Sequence, residues 1–170
     1  MRSIPKCMAA AVLFIVASAP MTHGEETKVP LEKLPSAVTQ AVKKMFPKAE
    51  LIEATQEAEG DDEVEYEVTV KEGGKKIDIT VEADGNVEAL EKELALKDLP
   101  MAVTEAIEKA YPKGIHKSAE AVYEVEEGKE ELEFYEVRLK TADGKDVEVN
   151  VKENGTVIAE PKDKKEADGE

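Results

Sequence analysis

In the first half of the chain, apolar residues recur at helical spacing and then switch to every second position. Val38, Ala41, Val42, Met45 and Phe46 form one stripe of a helix. Pro35 suits its first turn, where a missing N–H breaks no intrahelical bond, and Pro47 ends it by disfavouring the α region at Phe46. Further on, Val64, Tyr66, Val68 and Val70 alternate with Glu65, Glu67 and Thr69. Ile77, Ile79 and Val81 then alternate with Asp78, Thr80 and Glu82, which predicts two strands with one apolar face. Gly73-Gly74 and Asp84-Gly85 supply the tight turns, the second leading into a strand at Asn86-Val87-Glu88-Ala89-Leu90.

About 65 residues later the same order returns. The phrase Leu34-Pro35-Ser36-Ala37-Val38 is answered by Leu99-Pro100-Met101-Ala102-Val103, and Val103, Ala106, Ile107, Ala110 and Tyr111 repeat the helical stripe up to Pro112. Asp98 reads as an N-cap of this second helix. Tyr135, Val137 and Leu139, then Val147, Val149 and Val151, form the alternating strands, with turns at Asp143-Gly144 and Asn154-Gly155 and a last strand at Thr156-Val157-Ile158-Ala159. A less regular strand precedes these in each copy, around residues 50–57 and 115–125. Residues 90–97 link the copies as a strand, a helical turn or both.

These periods predict an α+β chain of two tandem repeats, each a helix packed on one face of an antiparallel sheet of about four strands. The divisions are residues 31–95 and 96–160, preceded by a leader at 25–30 and followed by a disordered charged tail at 161–170. At about 65 residues each, the units are small enough to need a shared interface or a continuous sheet.

The repeated Leu-Pro phrase with its aromatic-Pro stop, the Tyr-Glu-Val strands (Tyr66-Glu67-Val68 and Tyr135-Glu136-Val137) and the Asp/Asn-Gly turns resemble the exported PepSY-like domains, a family also described as similar to β-lactamase-inhibitor proteins. The resemblance spans residues 31–160 in two copies. It implies helices packed on antiparallel sheet and a role in binding or inhibiting other exported proteins, peptidases among them. It carries over no catalytic residue.

Charge and cysteine content narrow the picture. Met1-Arg2-Ser3-Ile4-Pro5-Lys6 followed by an uncharged apolar run from Cys7 to Ala19 reads as a signal peptide over residues 1–24, too short for a membrane span. Cleavage fits after Gly24, with Ala19 as the rival, and predicts a periplasmic or secreted protein with no stable membrane insertion. Removing Arg2 and Lys6 shifts the net charge from -16 to -18, since 21 Lys and Arg then face 39 Asp and Glu. So acidic a surface disfavours nucleic acid and suits basic proteins, basic peptides or divalent cations. Cys7 is the only cysteine, so the processed chain has no thiol chemistry and no disulfide.

No constellation for catalysis emerges. His116 is the single histidine after the signal segment and no nucleophile pairs with it, so we expect a non-enzyme without cofactor or bound metal. Calcium remains the alternative, an acidic cation-binding envelope or stress protein, with the loops Glu59-Gly60-Asp61-Asp62-Glu63 and Thr141-Ala142-Asp143-Gly144-Lys145-Asp146 as the places for it; neither follows an EF-hand pattern.

The candidate binding residues are the polar positions of the strands. Glu67, Thr69, Asp78 and Thr80 come from the first repeat, and Phe134, Glu136, Arg138, Glu148 and Asn150 from the second. Phe134 shares a strand side with Glu136 and Arg138, where it serves either as an interface anchor or as cover for a neighbouring segment. The expected partner is an exported protein or peptide of basic character; the oligomeric state is left open.

Overall fold

The computed structural model describes residues 27–59 and 63–159. The signal segment, the charged tail and residues 60–62 of the first acidic loop lie outside the described residues. A two-residue strand, β1 (Thr27–Lys28), leads to a 3-10 turn (Leu31–Lys33) and helix α1 (Ser36–Met45). Strands β2 (Glu50–Glu59), β3 (Glu63–Glu72), β4 (Lys75–Glu82) and β5 (Val87–Leu94) follow. A second 3-10 turn (Leu96–Asp98) and helix α2 (Met101–Ala110) precede β6 (Ile115–Glu126), β7 (Lys129–Lys140), β8 (Asp146–Val151) and β9 (Val157–Ala159).

The strands form one 9-stranded sheet in sequence order, β1 through β9, and every neighbouring pair is antiparallel. This corrects the expectation of two repeats, each with its own helix on a sheet of about four strands: there is a single sheet with two short helices. The reason lies at residues 87–94, which form one full strand that carries the expected strand at 86–90 on into the link between the copies. Ala89 pairs with Glu124 and Leu94 with Ala119, so β5 and β6 join the halves edge to edge. Two separate sheets would each have exposed the backbone donors and acceptors that this junction satisfies.

Both helices lie on the same side of the sheet. Val38 and Val42 of α1 are fully buried with Val68, Val70, Ile79 and Val81, while Val103 and Ile107 of α2 are buried with Val137, Val149 and Val151. Tyr123 on β6 touches both clusters and so links the two cores. Burying each such Val or Ile contributes about 1.5–3 kcal/mol relative to leaving it in water.

The helix starts differ in detail from expectation. Pro35 and Pro100 stand just before the first helical residue in extended conformation (ψ 143° and 144°), not inside the first turn. Asp98 does not cap α2. It ends the 3-10 turn, its N–H donating to the Ala95 carbonyl at 2.8 Å. Instead, the hydroxyls of Thr39 and Thr104 donate back to the carbonyls of Pro35 and Pro100, at 3.2 and 3.3 Å. At the other end, the Phe46 and Tyr111 N–H groups close the last turns on Val42 and Ile107, both at 2.8 Å.

Two glycine turns fit the sheet to the helices. Gly85 (φ +95°) and Gly155 (φ +84°) adopt the left-handed region, and a Cβ there would lie 3.0 Å from the Ala37 carbonyl oxygen and 2.7 Å from that of Ala102, respectively. The β4–β5 and β8–β9 turns therefore abut the first turns of α1 and α2.

Candidate binding face

The side of the sheet away from the helices carries the alternate polar positions of every long strand. Cross-strand pairing sets Glu67 opposite Thr80, Thr69 opposite Asp78, Arg138 opposite Glu148, and Glu136 between Glu120 and Asn150. The sequence-predicted residues thus share one face, in two groups.

In the first group the Thr69 hydroxyl donates to the Asp78 carboxylate, and Thr69 is buried. Glu67 is exposed. A recess of about 60 Å³ beside them is lined by Thr55, Glu57, Glu65, Glu67 and Thr80.

The second group is denser. Arg138 reaches three carboxylates, with its Nη2 2.9 Å from Glu136 and 3.6 Å from Glu120, and its Nε donating to Glu148 at 3.2 Å. Glu136 is only 8 % exposed. Its Oε1 lies at ion-pair distance from Arg138 but has no hydrogen bond of good geometry, and neither has the buried Oδ1 of its cross-strand neighbour Asn150. Phe134 pairs with Val122, which is buried although it belongs to the polar side.

Two residues that the sequence pattern did not nominate complete the group. Glu120 stands on β6 and Glu91 on β5, and carboxylate oxygens of Glu91, Glu120 and Glu136 lie within 4.8 Å of one another. Glu91 was missed because its segment read as a linker, and Glu120 because its strand alternates poorly. The signal available was local: Glu91 follows the core residue Leu90, and Glu120 sits between the buried Ala119 and Ala121.

Crowded acids with one cation hold protons tightly. Burial, the largest cause, together with the charges of Glu120, Glu67 and Asp78, pushes the Glu91 carboxyl up to about 7 against the opposing pull of Arg138. Glu136 is pushed up to about 8, first by burial and then by the charge of Glu148 and a carboxyl–carboxyl hydrogen bond to it. Near the β4–β5 turn, Glu88 rises to about 7 through burial, a hydrogen bond with Glu82 and the charge of Glu65.

A recess of about 220 Å³ opens beside Arg138, lined by Lys117, Ser118, Leu139, Asp146, Val147 and Glu148. Lys117 holds Asp146 at 2.8 Å. In the neighbouring loop the Thr141 hydroxyl bonds Asp143 while Lys145 lies 3.7 Å from it, so the oxygens considered for calcium there are engaged within the loop. His116 is a half-buried strand residue opposite Leu139. Among the described residues, the one group of three or more His, Cys, Asp or Glu with metal-compatible spacing is Glu91, Glu120 and Glu136.

Strand order, helix phrases and turns define a tandem sheet-and-helix domain, and comparison places it. The chain belongs to the family described as "putative beta-lactamase-inhibitor-like, PepSY-like", matched in two overlapping stretches at residues 20–89 and 65–159. Solved structures share the fold. A BLIP-like protein from Bacteroides fragilis is 24 % identical with TM-score 0.58, the match covering 82 % of this chain and 91 % of the other. A DUF2874 family protein from Bacteroides uniformis is 16 % identical with TM-score 0.60, covering 75 % and 88 %. A third structure, titled "putative periplasmic proteins" from Bacteroides eggerthii, is 15 % identical with TM-score 0.62, covering 78 % and 92 %. A search of curated proteins gives no match.

Proposed function

We propose that this chain is an exported, non-enzymatic binding module that takes a basic segment of another exported protein on the helix-free face of its sheet. Inhibition of the protein so bound, a peptidase for example, is the form of this activity that membership of an inhibitor-like family favours. The observation that carries the reading is the carboxylate group around Arg138, where Glu91, Glu120, Glu136 and Glu148 outnumber their one guanidinium. A lysine or arginine arriving there gains charge-assisted hydrogen bonds in a partly desolvated setting. Export and a periplasmic location rest on the basic start and apolar run of residues 1–24, and a fold relative described as periplasmic agrees.

Calcium is the second reading, favoured by the 4.8 Å spacing of the three carboxylates and opposed by Arg138, whose positive charge already occupies the group. The two readings separate in one experiment. The chain lacking residues 1–24 is immobilised and exposed to the exported proteins of its source, with and without millimolar calcium, at low and high salt. The binding reading predicts a retained partner, released by salt and indifferent to calcium. Retention of nothing, or only with calcium, contradicts it.

A further inference from the structure

We propose that the carboxyls around Arg138 form a pH-sensitive centre, holding two protons among them and shedding them as the medium turns alkaline, so that the charge on the open face switches. This inference concerns the regulation of the face assigned above, yet its chemistry stands whether or not a partner binds there.

The count of donors and charges carries it. Glu91, Glu120 and Glu136 bring carboxylate oxygens within 4.8 Å of one another, and Glu148 joins them through Arg138. One guanidinium cannot neutralise four carboxylates. Hydrogen bonding shows the same deficit: the buried Glu136 Oε1 and Asn150 Oδ1, on cross-strand neighbours, are both acceptors without a hydrogen bond. A buried acceptor left so costs free energy, and one proton on the Glu136 carboxyl turns an acceptor into a donor. Glu136 is also the group's most enclosed member, where ionisation is least favoured.

The surrounding strands reinforce this. From β3 and β4, Glu67 and Asp78 add negative charge toward Glu91; from β8, Glu148 does so toward Glu136; the opposing charge comes from Arg138 on β7. The rise of Glu91 to about 7 and of Glu136 to about 8 agrees with the count. Below these values the four acids and Arg138 carry a net charge near -1, and above them near -3. The face therefore attracts a cationic partner more strongly in alkaline than in acidic surroundings.

Carbon-detected NMR of the glutamate side-chain carboxyls, followed from pH 4 to 10 on the chain lacking residues 1–24, tests this directly. Glu91 and Glu136, assigned individually, are expected to titrate with midpoints near 7 and 8, far above the usual glutamate value of about 4.3, alongside Glu88 of the β4–β5 turn near 7. Glu136→Gln should remove the higher midpoint, and Arg138→Gln should move the remaining midpoints upward by removing the charge that opposes them. If neither Glu91 nor Glu136 titrates above about pH 5.5 in the unmodified protein, the proposal is overturned, whatever the variants do. Normal titration with partner retention intact would refute the pH device alone; raised midpoints with no partner retained would support it and refute the binding role.

Discussion

At equivalent strand positions in the two halves, Thr55, Glu67, Thr69, Asp78 and Thr80 stand where Glu120, Glu136, Arg138, Glu148 and Asn150 stand in the second. The backbone pattern is shared: Thr55–Glu67–Thr80 is a cross-strand row, and so is Glu120–Glu136–Asn150. What differs is how a carboxylate is accommodated. In the first half a neutral hydroxyl satisfies Asp78, and Glu67 is exposed. In the second half Glu136 is enclosed among other acids and an arginine. Replacing threonines with Glu and Arg at fixed geometry converts a quiet face into a charge-dense one. The duplicated framework thus keeps the fold while the chemistry of its open face changes.

The helix side shows the complementary lesson, because there the halves agree and differences are of size. Val42 and Ile107 occupy the same fully buried position under α1 and α2. Ile107→Ala should cost about 2–4 kcal/mol and Val42→Ala about 1 kcal/mol less, since Ile loses one more carbon and leaves the larger cavity. Denaturant unfolding measures both. Equal costs would show that the two cores are not packed alike.

Next in size are the matched glycine turns. Gly155→Ala should destabilise by about 2 kcal/mol or more, because a positive φ and a 2.7 Å approach to the Ala102 carbonyl act together. Gly85→Ala, at 3.0 Å from Ala37, should cost less. Thermal melts of the two variants rank them, and the reverse ranking would break the correspondence.

A smaller effect distinguishes the faces by pH. Glu136 keeps its proton up to about 8 in the fold, against 4.5 as its ordinary value. Between these values the folded state binds more protons than the unfolded one, so the stability contribution is full below about pH 4.5 and is lost as pH rises through about 8. Glu136→Gln should therefore gain about 1–2 kcal/mol on wild type between pH 5 and 8.5. Denaturant midpoints at the two pH values supply the test. A variant whose pH response matches wild type would erase the contrast between the halves.

The sequence carried much of this outline because its periods are physical. The switch from helical spacing at Val38 and Val42 to alternation at Tyr66, Val68 and Val70 located helix and strands, and Gly73-Gly74 and Asn154-Gly155 located turns whose glycines do adopt positive φ. Whether the units share an interface or a continuous sheet was not decided by the sequence. Residues 87–94 mix Glu, Lys and Leu, and whether such a segment links or pairs is decided by β6, more than 20 residues away. The same non-local pairing hid Glu91 and Glu120, since adjacency across β5, β6 and β7 has no local signature. Glu136, Arg138, Glu148 and Asn150 could be nominated because they occupy alternating strands. The last strands of the two halves differ: β5 runs for eight residues and pairs on to β6, whereas β9 has three and stands at the sheet's edge.

The central claim is that the second half of the open face holds the partner, and paired variants test it most directly. Retention of exported proteins is compared between wild type, a variant carrying Glu120→Lys and Glu148→Lys, and one carrying Thr55→Lys and Thr80→Lys, all confirmed folded by melting. The account predicts that the second-half reversal abolishes retention and the first-half change weakens it only slightly. Equal loss from both, or retention that survives the second-half reversal, would contradict it.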